Sequence, residues 1–299
     1  MQTLTLSPSR SLAAGSAGTA SPGLHSDATE AMAPLQAVIF DWAGTLVDFG
    51  SLAPTQIFVQ AFASFGLHIT LAQARGPMGL SKWDHIHSLL QQSDIAAQWR
   101  QLFGRPPGDA DVDALYARFM PLQIAKVAEH SAPIEGVPET LQWLRAQGLK
   151  IGSCSGYPRE VLNQLLPAAA QAGVQPDHVV AGDEIAAGGR PGPFMALANV
   201  LALGITDVRA CVKVDDTVPG IEEGRNAGMW CVGVSLSGNE VGLSLDEYAQ
   251  AGPDEVAARV AGAERKLKTA GAHYVVRSVH DLPSVLSAIA AAMREGQRP

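Results

Sequence analysis

The chain has few cysteines, no excess of positive charge and no long apolar run, and each shortage removes a class of protein. Its three cysteines, Cys154, Cys211 and Cys231, are an odd number, widely spaced, with no C-x-x-C pair. They make no disulfide framework and read as small buried hydrophobes in a reducing compartment. Lys and Arg total 21 against 29 Asp and Glu, a net charge of −8 with a pI near 5.4. That excludes a generally basic nucleic-acid binder while leaving room for a local cationic pocket. No uninterrupted apolar run reaches the roughly 18–20 residues that span a bilayer. No membrane partner is therefore expected, and the expected setting is cytoplasmic.

What is present is a globular composition, 47% hydrophobic and 17% charged over 299 residues, enough for one or two domains with a sizeable core. Residues 1–34 are the exception. They are dominated by Ser, Ala, Gly, Pro and Thr, with Arg10, Asp27 and Glu30 as the only formal charges. The basic start and compact apolar block of a secretory signal are missing, and a disordered extension is expected.

From Leu35 the texture changes. Leu35 to Phe40 is a short apolar run ending at Asp41, and similar runs recur at Leu149–Cys154, Val179–Ala181, Ala210–Val214, Trp230–Val234 and Tyr274–Val276. Helical patterns separate most of them; Pro138–Gln147, with a proline in its first turn and Gly148 just past its end, carries start and stop chemistry. Continuous apolar strands alternating with helices predict an α/β fold, a Rossmann-like parallel sheet covered on both faces, with ligands at the carboxyl ends of its strands.

Between Asp48 and about Ser131 the alternation stops. Helical patterns cover Pro54–Phe65, Ser81–Gln91 and Asp111–Glu129, the last bent at Pro121, and Thr70 to Gln73 reads as a capping box. The expected organisation is a core of residues 35–50 and 132–299 with an inserted all-helical cap, residues 51–131, over the site at the end of the first strand.

The chemistry-bearing residues sit at strand ends. In Asp41-Trp42-Ala43-Gly44-Thr45 a carboxylate leaves a strand beside a glycine that admits an anion and a hydroxyl that can meet it; Asp41 either attacks phosphorus or caps a turn. Asp215-Asp216 ends another strand. Two adjacent acids repel, so they either hold a divalent cation, Mg²⁺ being usual beside phosphate, or form a solvated turn. Ser155-Gly156-Tyr157 places a hydroxyl and free backbone after a third strand, and Gly188-Gly189-Arg190 offers a guanidinium suited to phosphoryl oxygens. In the helical interval, Lys82 opens a helix three residues before His85. It is either a surface lysine or an amine kept neutral enough to form a Schiff base, a state the helix dipole favours. Glu222-Glu223 reads as part of a solvated helix.

In this order the motifs resemble the haloacid dehalogenase-like superfamily from Leu35 onward. That superfamily's usual D-x-D-G-T is altered: Ala43 stands where its phosphatases keep a general acid. Taken with P-M-G-L-x-K-x-D-H at 77–85 and K-V-D-D-T-V-P-G at 213–220, the chain resembles the phosphonoacetaldehyde hydrolase, or phosphonatase, family over residues 35–294.

The resemblance implies hydrolysis of the C–P bond of phosphonoacetaldehyde to acetaldehyde and phosphate, in 2-aminoethylphosphonate degradation, by a homodimer joined through its caps. It implies Asp41 as nucleophile, Lys82 as Schiff base, and His85 and Tyr157 as aids to proton movement, with Met78 packed near the lysine. Gly44, Thr45, Ser155, Gly156 and Arg190 would bind substrate and phosphate; Asp41, Asp216 and the Ala43 carbonyl would hold Mg²⁺. Gly220 replaces an acid found in many superfamily members four residues after Asp216, leaving open whether Asp215 compensates. The competing readings are a Mg²⁺-dependent phosphatase or phosphomutase of the same superfamily and a non-catalytic phosphate-binding protein.

Overall fold

A computed structural model describes residues 32–299 of the chain; the expected amino-terminal extension lies outside the described residues except for its last three. Of these, Met32 is buried in the main core and its carbonyl accepts the Leu35 N–H.

Six parallel strands form one sheet in the order β3-β2-β1-β4-β5-β6: β1 Ala37–Phe40, β2 Lys150–Cys154, β3 His178–Val180, β4 Cys211–Asp215, β5 Trp230–Val234 and β6 Tyr274–Val276. The expected strands are all present, Trp230–Val234 and Tyr274–Val276 with the expected bounds and the other four displaced by a residue or two at their ends. All four residues of β1 are buried, as a central strand covered on both faces demands. Its register pairs Phe40 with both Ser153 and Val214. One residue further on, Asp41 therefore emerges at the carboxyl edge between the ends of β2 and β4, and its N–H still donates to the Val214 carbonyl.

Between β1 and Ser131 the chain is helical: α1 Leu52–Ala63, α2 Leu71–Arg75, α3 Lys82–Leu90, α4 Ser93–Phe103 and α5 Asp109–Lys126; a further helix, Val137–Ala146, then leads into β2. The Thr70–Gln73 capping box forms with both limbs present. α5 runs through Pro121 and passes into a 3-10 turn at Val127–His130. α4 has no counterpart among the expected helices; only Ile95, Ala96 and Trp99 are buried along it, a stripe too sparse to stand out as a period. These helices bury an apolar cluster of their own, built from Phe58, Phe62, Ile86, Leu89, Trp99 and Phe119 among others, separate from the cluster under the sheet.

Two chain passages connect this helical insert to the sheet. Val47 forms an isolated bridge to Pro133, and His130 Nδ1 lies 2.9 Å from an Asp48 carboxylate oxygen. Asp48 and Ser51 have φ of 56° and 51°, left-handed conformations that side chains other than glycine rarely adopt, so strain is concentrated in this connection. Among the described residues no helix is long and apolar enough to cross a membrane.

Candidate active site

The carboxyl edge of the sheet meets the segment 75–82 of the insert. Gly79 and Gly156 permit the meeting: a Cβ on Gly79 would stand 2.4 Å from Thr217 Oγ1, and one on Gly156 would stand 2.4 Å from the Leu80 carbonyl oxygen. Asp41, Ala43, Met78, Lys82, Ser155, Gly156, Tyr157 and Arg190 thereby line one small cavity of about 20 Å³. The structure thus brings eight of the expected site residues together, from three strand ends and one helix start.

Lys82 is the first residue of α3, whose amino end is capped by Ser81 accepting from the Asp84 N–H. Its side chain points inward and the residue is only 4% exposed. Nζ lies 4.9 Å from the centre of the Tyr157 ring and 5.6 Å from that of Phe58. Burial, opposed by the Asp41 charge and aided by the smaller effect of Arg190, brings the amine down to about 7. Desolvation is the leading cause, beyond the helix-end position from which the lysine was singled out.

His85 lies one turn along, behind the cavity, fully buried and stacked on Phe58 at 3.8 Å. Its Nε2 is 2.8 Å from the Ala74 carbonyl, which fixes the proton there, and buried Nδ1 has no partner among the described residues. Burial and the nearby Lys82 charge hold it well below the usual imidazole range, so it is neutral. Burial likewise keeps Tyr157 a phenol.

Arg190 is almost wholly enclosed. Nη2 is 2.8 Å from Asp41 and 3.3 Å from Asp215, and Nε is 2.8 Å from Glu223. Nη2 also donates to the Cys154 carbonyl at 3.0 Å, and Nη1 reaches the Gly79 carbonyl at 3.4 Å. Glu223, expected on a solvated helix, is instead fully buried; it takes Lys213 and the Ala196 N–H as well as Arg190. Its face of the helix Val218–Asn226 also carries Gly220 and Gly224, four residues apart, and a Cβ on Gly224 would stand 2.6 Å from Lys213 Cβ, so this helix packs tightly on the sheet. Lys213, on β4 and also fully buried, was not singled out by the sequence; it is 2.7 Å from Asp215.

This network divides the two adjacent acids. Asp215 accepts from Lys213, from Arg190 and from both the N–H and hydroxyl of Thr217, and lies below the usual carboxylate range. Among the described residues Asp216, also fully buried, receives only the Asn239 N–H at 2.7 Å and the Thr45 hydroxyl at 3.1 Å. Burial, then Asp41 and Asp215, push it well above that range. Burial, then Asp215, raise Asp41 to about 6 against the opposing pull of Arg190 and Lys213. One oxygen from each of the three carboxylates falls within a 4.8 Å cluster. A buried Asp41–Asp216 pair, in which the Arg190 guanidinium meets Asp41, is a donor set a hard cation fits.

Gly44 and Thr45, expected on substrate, belong to the surroundings of Asp216: Thr45 donates to it, and a Cβ on Gly44 would stand 2.3 Å from its Oδ2. The three cysteines are free and buried, and a Glu223 oxygen lies near the Cys154 thiol.

Residues 35–228 match the family model of haloacid dehalogenase-like hydrolases. The phosphonoacetaldehyde hydrolase of Vibrio cholerae is 58% identical over 267 residues, 89% of this chain and 98% of the relative. That of Salmonella newport is 59% identical over 266 residues, 89% and 99% of the two chains. The crystal structure of a phosphonoacetaldehyde hydrolase-like protein from Oleispira antarctica superposes with a TM-score of 0.88 at 43% identity, covering 90% of this chain and 97% of the other.

Proposed function

The chain belongs to the haloacid dehalogenase-like hydrolases, and within them to the phosphonoacetaldehyde hydrolase family, and from that membership we propose that it splits phosphonoacetaldehyde into acetaldehyde and phosphate through an imine on Lys82 and a phosphoryl group on Asp41. The observation that carries the reading is a buried amine, held near 7, facing the same small cavity as the strand-end carboxylate.

The chemistry follows from Ala43. A phosphate ester leaves as an alkoxide that an acid can protonate; a phosphonate must release carbon, and a bare carbanion is a very poor leaving group. Neutral Lys82 attacks the aldehyde and expels water, giving an imine. As the Asp41 carboxylate attacks phosphorus, the C–P electron pair moves into the protonated imine and leaves as an enamine. The enamine carbon takes a proton, water hydrolyses the resulting imine, and acetaldehyde departs, freeing Lys82. A second water cleaves the aspartyl-phosphate, returning Asp41 and releasing phosphate.

Arg190, which lines the cavity, and Ser155 with Gly156 hold the phosphoryl oxygens. Neutral His85, with Nδ1 free, and Tyr157 serve the proton movements around Lys82. Asp41, Asp216 and the Ala43 carbonyl hold Mg²⁺, which when bound offsets the charge gathered between carboxylate and phosphoryl group. A cavity of about 20 Å³ has room for a single water and none for the substrate. The helical insert therefore acts as a cap domain that opens to admit the aldehyde and closes before transfer. The enzyme on this reading is a cytoplasmic homodimer acting in 2-aminoethylphosphonate breakdown, and exposed Leu102 and Phe103 on the cap offer apolar surface to a second copy.

Borohydride reduction with phosphonoacetaldehyde, followed by peptide mapping, places the label on Lys82. Lys82→Arg abolishes labelling and the coupled release of acetaldehyde and phosphate. Turnover that survives in Lys82→Arg defeats the imine route.

A further inference from the structure

The segment carrying Lys82 is anchored at its other end by Arg75. This guanidinium, at the last position of α2, leaves the insert and enters the loop that follows β5. Nη1 donates to the Gly50 carbonyl at 2.8 Å and to Asn239 at Oδ1, 3.2 Å, and at the main-chain oxygen, 3.4 Å; Nη2 donates to the Gly242 carbonyl at 3.0 Å. Asn239 Nδ2 answers by donating to the Arg75 carbonyl at 3.3 Å. The loop is shaped to receive the group, since a Cβ on Gly242 would stand 2.7 Å from Arg75 Cζ. The same Asn239 turns its N–H onto Asp216 Oδ2. One residue thus grips the insert with its side chain and the carboxylate with its main chain.

We propose that Arg75 and Asn239 are positioning residues that make two events one equilibrium: the seating of segment 75–82, which places Lys82, and the binding of a divalent cation by Asp41 and Asp216. The proposal deepens the functional reading above and takes its cation site from it. Lifting the segment withdraws a planar fork from Gly50, Asn239 and Gly242 at once. Asn239 then loses Arg75 from both ends of its amide, keeping only the 3.5 Å contact of Nδ2 with Glu240 Oε1, and the N–H that orients Asp216 is less firmly held in place. Linkage makes the effect reciprocal, so a cation that needs Asp216 oriented draws the segment down. Arg75 also feels the Asp216 charge, and its removal would change cation affinity by simple electrostatics. The informative variants are therefore Arg75→Lys, which keeps the charge and loses the fork, and Asn239→Ala, which keeps the main-chain N–H and loses the amide.

The test uses Mg²⁺ alone on the full chain. Calorimetric titration gives Mg²⁺ affinities, and an amine-acylating reagent with peptide mapping gives the reactivity of Lys82 with and without Mg²⁺. The expected result is a Kd raised at least about fivefold in each variant, with the double variant no weaker than the weaker single. In the unaltered chain Mg²⁺ slows acylation of Lys82, and in both variants that protection is lost. Affinities within twofold of the unaltered chain in both variants overturn the proposal, and so does Lys82 reactivity that ignores Mg²⁺ in the unaltered chain, a comparison that needs no variant to fold. Neither measurement reads imine formation or phosphonate turnover, so a failure of the functional reading would show separately.

Discussion

Gly220 and Asp215 share one space: a Cβ at 220 would stand 2.0 Å from the Asp215 carboxyl carbon. The acid missing from position 220 has its volume filled by the acid at 215, which reaches Lys213, Arg190 and Thr217 from there. Gly220→Asp alone therefore forces two carboxylates into one buried site and lowers Tm sharply. Combining it with Asp215→Gly restores at least half of the lost Tm. Thermal unfolding of both variants decides it, and equal Tm values would refute the exchange.

Glu223 holds the far side of Arg190. Removing one member of a buried ion pair costs about 3–5 kcal/mol, so Glu223→Ala should lower Tm by on the order of 10 °C and weaken phosphate binding as Arg190 loses its brace. Glu223→Gln keeps an acceptor for Nε and loses less of both. Calorimetry and phosphate titration provide the measurement.

Lys82, held near 7 chiefly by burial, should form its imine at a rate that climbs with pH up to about 7 and levels beyond. A lysine at its ordinary value would keep the rate climbing toward about 10. Single-turnover trapping across pH separates the two. A lowered amine also costs stability, fully below the folded value and vanishing above the unfolded one. Lys82→Met accordingly raises Tm at pH 7 and has little effect near pH 10.5.

His130 is raised by its hydrogen bond to Asp48 across the two connecting passages, with Glu129 adding and Lys126 opposing. A raised folded value contributes stability that is complete below the unfolded value and fades as pH climbs through the folded one. His130→Ala should be less stable than the unaltered chain in mild acid and match it in mild alkali. Denaturant melts at the two pH values read the difference, and parallel curves would remove the pair from the account.

Much of the site was legible because strand-end chemistry is local. Asp41, Ser155 and Asp216 follow apolar runs that can only be buried strands, and a parallel sheet must put such ends on one edge. Lys82 stood out through a capped helix start, though its perturbation comes from burial that no helix position could reveal. Glu223 was misplaced because Glu222 and Arg225 beside it look solvated, while the helix face that buries it is visible only against β4. Arg75 and Asn239 are 164 positions apart and each is ordinary in its own neighbourhood.

The order of strands and helices, the strand-end acids, the alanine in place of an acid and the lysine at a helix start are properties of periodicity and motif, and the chain alone determined them. Which acid of the Asp215-Asp216 pair is met by the protein's own cations and which is not was decided only by folding. The two are adjacent and chemically identical in sequence. A carboxylate's charge is settled by which cations stand within a few ångströms of it after burial, and the sheet and the helix behind it deliver Lys213 and Arg190 to the first while turning the second toward a single N–H and a hydroxyl.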